Sequence, residues 1–193
     1  MQKIINTFFL INIIFLILVI SIHIFSRSKY NFPVYLQYFY LIITYVAIIP
    51  TRILFSFGGK KREWRRHIYK NIYLGGYFFF PSDYTYLRDN NIKVVINLVK
   101  ELPSPEKRLK KMGVNHYYLP LPDKTKIDEK NLRQALEVVS DNDNKNILIH
   151  CAAGQSRSAY LVYRVLQNVY NMSDQEAKTT IMKEKKVDDE FLI

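Results

Sequence analysis

The chain has 193 residues, a formal net charge of +11 and one cysteine. A single thiol excludes an intrachain disulfide and a multi-cysteine zinc site. The charge is uneven: residues 1–65 carry eight Lys/Arg against one acid, the remainder twenty against sixteen. No zinc-finger or RNA-binding aromatic motif accompanies it, so nucleic acid is set aside as a partner.

From the N-terminus, Phe8 to Ile24 is almost continuously apolar, broken only by Asn12, Ser21 and His23. That is near the length a helix needs to cross a bilayer. A second apolar stretch runs from Phe32 to Pro50, with Tyr35, Tyr38 and Tyr40 near its start, as interfacial aromatics often stand. The expectation is a transmembrane helical hairpin within residues 1–58, its helices at about 4–25 and 32–50. A cleaved signal peptide is the alternative for the first segment, but the apolar core is long and no small-residue cleavage site succeeds it. Residues 59–70 then read as a basic juxtamembrane linker, with Lys60, Lys61, Arg62, Arg65, Arg66 and Lys70. These charges would be drawn to anionic lipid headgroups and would hold the C-terminal two thirds of the chain on the cytoplasmic side. A reducing compartment also suits a working thiol.

Residues 66–193 read as one α/β domain. Strands are expected at 72–74, 92–98, 117–121 and 146–150, and helices near 83–90, 105–112, 129–140, 157–170 and 174–186. The alternation predicts a central, mostly parallel sheet flanked by helices. Tyr77-Phe78-Phe79-Phe80 is expected in the core or as a loop anchor, with insertion into a membrane interface as the second reading. Lys183–Glu190 reads as a solvated face or fraying tail.

The densest chemistry lies in His150-Cys151-Ala152-Ala153-Gly154-Gln155-Ser156-Arg157-Ser158. Asn146–Ile149 is a short apolar run ending at His150, and the apolar spacing from Tyr160 to Val169 is helical. The loop between them therefore turns its N–H groups inward at a helix N-terminus, where anions bind. A helix N-terminus and a nearby arginine favour the thiolate of Cys151. Arg157 offers a planar fork for two phosphate oxygens. Gly154 lets the backbone approach a phosphate, Ser158 can donate to the sulfur as it leaves, and His150 orients the loop. Taken singly, a strand-end cysteine is a small buried hydrophobe and its histidine neighbour a satisfied core residue. The full spacing points instead to a cysteinyl-phosphate intermediate.

This loop resembles the signature of the protein tyrosine phosphatase superfamily, and its surroundings resemble the dual-specificity branch. Asn71–Gly76 is similar to that branch's opening strand and turn, Ile92–Leu98 to its next central strand, and Tyr118–Asp123 to the segment bearing its general acid. The plan of a hydrophobic N-terminus, a basic juncture and a compact domain resembles bacterial relatives of phosphatidylglycerophosphate phosphatases. The resemblance implies the cysteine-phosphatase fold and two-step phosphate monoester hydrolysis, with no metal and no cofactor. It places phosphate binding on Ala152, Ala153, Gly154, Gln155, Ser156 and Arg157.

Asp123 comes after a predicted strand in a Lys-rich loop and matches the family's acid, which must give a proton to the departing oxygen. Asp128 competes with it, but its position suits the N-cap of the helix beginning at Glu129. Substrates fall into two classes, phosphotyrosine/phosphoserine/phosphothreonine proteins or a lipid, phosphatidylglycerophosphate or a phosphoinositide. The neutral residues Ala152, Ala153 and Gln155 favour protein over multiply phosphorylated lipids. An inactive phosphate-binding scaffold is the third reading.

Overall fold

The computed structural model describes residues 63–192, with positions 20–21, 24, 33, 35–42 and 44 of the N-terminal third. Five strands form one sheet in the order β1-β2-β5-β3-β4. They are β1 (Arg65–Tyr69), β2 (Ile72–Gly75), β3 (Ile92–Val99), β4 (Asn115–Leu121) and β5 (Asn146–His150). β2 and β3 flank β5 in parallel, and β4 is parallel to β3; only β1 runs antiparallel, against β2. The helices are α1 (Pro81–Asp89), α2 (Glu106–Lys111), α3 (Glu129–Ser140), α4 (Arg157–Asn168) and α5 (Asp174–Glu184), followed by a 3-10 turn at Asp189–Phe191.

The sheet is covered on both faces, which explains why β5 reads as an unbroken apolar run rather than an alternating one. Ile147 and Ile149 point into a core shared with Leu132, Ala135 and Val139 of α3, Leu161, Val162 and Val165 of α4, and Ala177 and Ile181 of α5. Leu148 points the other way, to Val95, Leu87 of α1 and Leu109 of α2. Nine of the twelve residues of α4 are buried, so this helix is fixed along its whole length beneath the loop that precedes it. Local signals set the other helix starts. Asp128 caps α3, its carboxylate accepting from Asn131 N at 3.0 Å, and Ser173 and Glu176 form a capping box on α5.

Three features differ from the sequence expectation. Arg65–Tyr69 lies inside the stretch read as linker but forms a strand, turning into β2 through Lys70 at φ 44°. The Arg65 side chain is buried and bonds the Asp83 carboxylate at 2.6 Å, so its charge belongs to the domain rather than to a lipid surface. The segment after α5 is anchored instead of frayed. Lys185 is buried with Nζ donating to the Glu63 carbonyl at 2.5 Å, Asp188 N donates to the Gln155 carbonyl, and Leu192 is buried. Among the described residues no helix is long and apolar enough to cross a membrane. Most of the two predicted spans lies outside the described residues, apart from a helical segment at 35–42.

Candidate active site

The site sits at the carboxyl end of the sheet, where β5 passes into α4, as ligand sites in parallel sheets do. In register, His150 stands between Gly75 of β2 and Asn97 of β3. The loop from Cys151 to Ser156 then curls back to the N-terminus of α4. Gly154 has φ +73°, and a Cβ there would stand 2.6 Å from the backbone carbon of Gly75. Only glycine fits so close an approach. Tyr77 N donates to the Ala152 carbonyl and Cys151 N to the Gly75 carbonyl, which stitches the loop to the turn after β2.

Cys151 is buried at the base of this loop. Its sulfur accepts two hydrogen bonds, from Gly154 N at 3.2 Å and from Ser158 Oγ at 3.1 Å. No side chain caps the N-terminus of α4, so its first N–H groups are left for an anion. Arg157 opens that helix with its guanidinium buried. Its Nη1 donates to the Glu101 carboxylate at 2.9 Å and the Leu121 carbonyl at 2.9 Å, and its Nη2 to the other Glu101 oxygen at 2.6 Å. The Nε–H is buried without a partner among the described residues. The carboxylate thus grips the outer edge of the fork, leaving Nε for a second anion.

Residues 72–189 match the catalytic domain of dual specificity phosphatases. The chain belongs to the dual-specificity phosphatase family. A tyrosine-protein phosphatase of Amsacta moorei entomopoxvirus is 30% identical over 129 residues, spanning 63% of this chain and 76% of the relative. Human phosphatidylglycerophosphatase and protein-tyrosine phosphatase 1 is 28% identical over 151 residues, 72% of this chain and 75% of the relative. Among solved structures, the crystal structure of PTPMT1 superposes with a TM-score of 0.58 at 26% identity, covering 67% of this chain and 89% of that one. A PTPMT1 complex with PI(5)P superposes at 0.56 with 25% identity, covering 67% and 90%.

This dual-specificity phosphatase brings the expected residues together. His150 is fully buried, and burial, with Arg65 and Arg157 nearby, pushes its pKa down to about 3. It is therefore neutral, its Nδ1 lying 3.3 Å from the Cys151 carbonyl oxygen. Asp123 stands at the mouth, its side chain 27% exposed and its carboxylate 3.0 Å from Arg157 Nη2. Asp128 is exposed at its cap and directed to Asn131, away from the phosphate loop. The geometry separates the two candidate acids: only Asp123 reaches the arginine. Burial alone would lower the Arg157 pKa, but Glu101, the cysteine sulfur and Asp123 override it and keep the guanidinium charged.

Sequence reasoning missed Glu101. It comes directly after β3, is 2% exposed and holds Arg157 by a bidentate contact. The available signal was a lone acid at the end of an apolar parallel strand, at the edge where sites form. Arg65 was missed as well. It donates to the carbonyls of Gly76 at 3.0 Å and Tyr77 at 2.9 Å, while Asp83 accepts from Phe79 N and Phe80 N. This buried pair fixes the turn on which the catalytic loop leans. Tyr77 and Phe78 are core residues, consistent with the first reading of the aromatic run.

Proposed function

We propose that this dual-specificity phosphatase hydrolyses phosphate monoesters in two steps, with Cys151 as nucleophile. The loop N–H groups from Ala152 to Ser156 and Arg157 Nε hold the phosphoryl oxygens. The sulfur attacks phosphorus, the ester P–O bond breaks, and Asp123 gives its proton to the departing oxygen. Water then attacks the cysteinyl phosphate, Asp123 takes its proton, and Ser158 Oγ stabilises the sulfur as it leaves. The observation that carries this reading is the sulfur with two donors on it, set beside a buried Arg157 Nε–H without a partner among the described residues.

The substrates we infer are phosphotyrosine, phosphoserine or phosphothreonine on proteins, because the loop supplies no cation at Ala152, Ala153 or Gln155 for additional phosphates. Phospholipid is the second reading. The human relative that spans 72% of this chain is named for both phosphatidylglycerophosphate and protein phosphotyrosine, which supports it. We further infer membrane attachment through the first apolar stretch, with the catalytic domain on the cytoplasmic side. Hydropathy supports an anchor at 8–24, and the basic residues Lys60 to Arg62 support the orientation.

The test is phosphate release by the full chain in mixed micelles, on a phosphotyrosine peptide, a phosphothreonine peptide and phosphatidylglycerophosphate. Cys151→Ser should abolish turnover, and Asp123→Asn should lower kcat by about 10²- to 10⁴-fold. Turnover confined to the lipid would transfer the function to the second reading. No release from any of the three would leave an anion-binding scaffold.

A further inference from the structure

The helical segment 35–42 has two unlike apolar faces. On one, Leu36, Gln37, Tyr40 and Leu41 are partly buried. Tyr40 and Leu41 pack on the cluster of Tyr77, Val99 and Leu102, which brackets Glu101 in sequence. The Tyr40 side chain lies within electrostatic reach of Glu101, Asp123 and Arg157. This face therefore borders the catalytic mouth. On the other face, Tyr35 is 72%, Tyr38 55%, Phe39 38% and Ile42 64% exposed. Their spacing of i, i+3, i+4, i+7 makes one stripe.

An aromatic and aliphatic stripe of this kind is costly in water. The chemistry around it identifies its cover. Tyrosine and phenylalanine with an aliphatic neighbour suit the headgroup boundary, where a ring is half apolar and half wet. The chain is apolar on both sides, at 8–24 and again through Ile48-Ile49, and Lys60, Lys61 and Arg62 come next to meet anionic headgroups. A helix with Tyr40 and Leu41 seated on the protein is not surrounded by acyl chains, as a spanning helix would be.

We propose that residues 35–42 form an interfacial helix whose outer face lies in the headgroup layer of the bilayer while its inner face walls the active site. The catalytic pocket then opens along the membrane surface. The second apolar stretch starts as this wall rather than as a membrane span. This inference rests on the membrane attachment proposed above.

The test uses the full chain with Phe39→Trp in phosphatidylcholine–phosphatidylglycerol vesicles carrying lipids brominated either near the headgroup or near the acyl terminus. Quenching is compared with the parent protein, whose one tryptophan, Trp64, is buried. The expected result is strong quenching by the shallow bromines and weak quenching by the deep ones, with hydrolysis of a soluble aryl phosphate unchanged. Tyr38→Trp provides the same reading where Phe39→Trp does not fold. Strongest quenching by the deep bromines would mean a spanning helix and overturn the proposal. Vesicle flotation without quenching at either depth would overturn it while leaving attachment intact. A chain that fails to float would overturn both.

Discussion

Glu101→Gln tests whether Arg157 is held by the Glu101 carboxylate. The wild-type pair is bidentate at 2.6 and 2.9 Å, with side chains 0% and 3% exposed. Removing one partner of a buried pair leaves a charge without compensation, which costs roughly 3–5 kcal/mol. Here the Leu98 and Leu121 carbonyls and Asp123 still face the guanidinium. The expected loss is therefore near the lower end, about 3 kcal/mol by urea denaturation of the full chain in detergent. The loosened fork should also lower kcat/KM on an aryl phosphate by about 10²-fold. A variant within about 0.5 kcal/mol of wild type, with kcat/KM changed less than about threefold, would refute the reasoning, since surface substitutions behave that way.

Three further outcomes rest on the geometry of the site. Gly154→Ala introduces a Cβ 2.6 Å from the Gly75 backbone at φ +73°; kcat/KM should fall by at least about 10²-fold with circular dichroism unchanged. His150 stays neutral when folded, with a pKa near 3, whereas the unfolded chain takes up this proton below about 6.5. Its contribution is thus present above pH 6.5 and lost as pH falls towards 3. The unfolding free-energy gap between wild type and His150→Asn should shrink by about 1.4 kcal/mol per pH unit across pH 6 to 4, and a constant gap would contradict this. Peroxide should inactivate the enzyme without forming an internal disulfide, because Cys151 is the chain's one cysteine. A stable intramolecular cross-link from Cys151 to another sulfur of the chain, found by mass spectrometry, would be incompatible with that.

Features determined by neighbouring residues are legible in the sequence. The strand, loop and helix around Cys151 come from spacing alone, and a rule spanning three residues places Asp128 at a helix cap. The unread features depend on distant partners. Arg65 reads as a membrane-facing cation because Asp83, which buries it, lies 18 positions away. Glu101 shows no purpose until Arg157, 56 positions later, stands beside it. β1 carries RRHIY, a pattern with no apolar alternation to mark it, and it exists because β2 offers an antiparallel edge.

The tie from Lys185 to Glu63 spans 122 positions, and the backbone bond from Asp188 to Gln155 reaches the catalytic loop itself. Such distant contacts form late, after much chain entropy has been lost. A chain emerging from the ribosome N-terminus first holds its nucleophile well before it holds these supports. Hydrolysis should therefore be absent from a nascent polypeptide stalled near residue 180 and appear only once the segment past Asp188 is free to fold back.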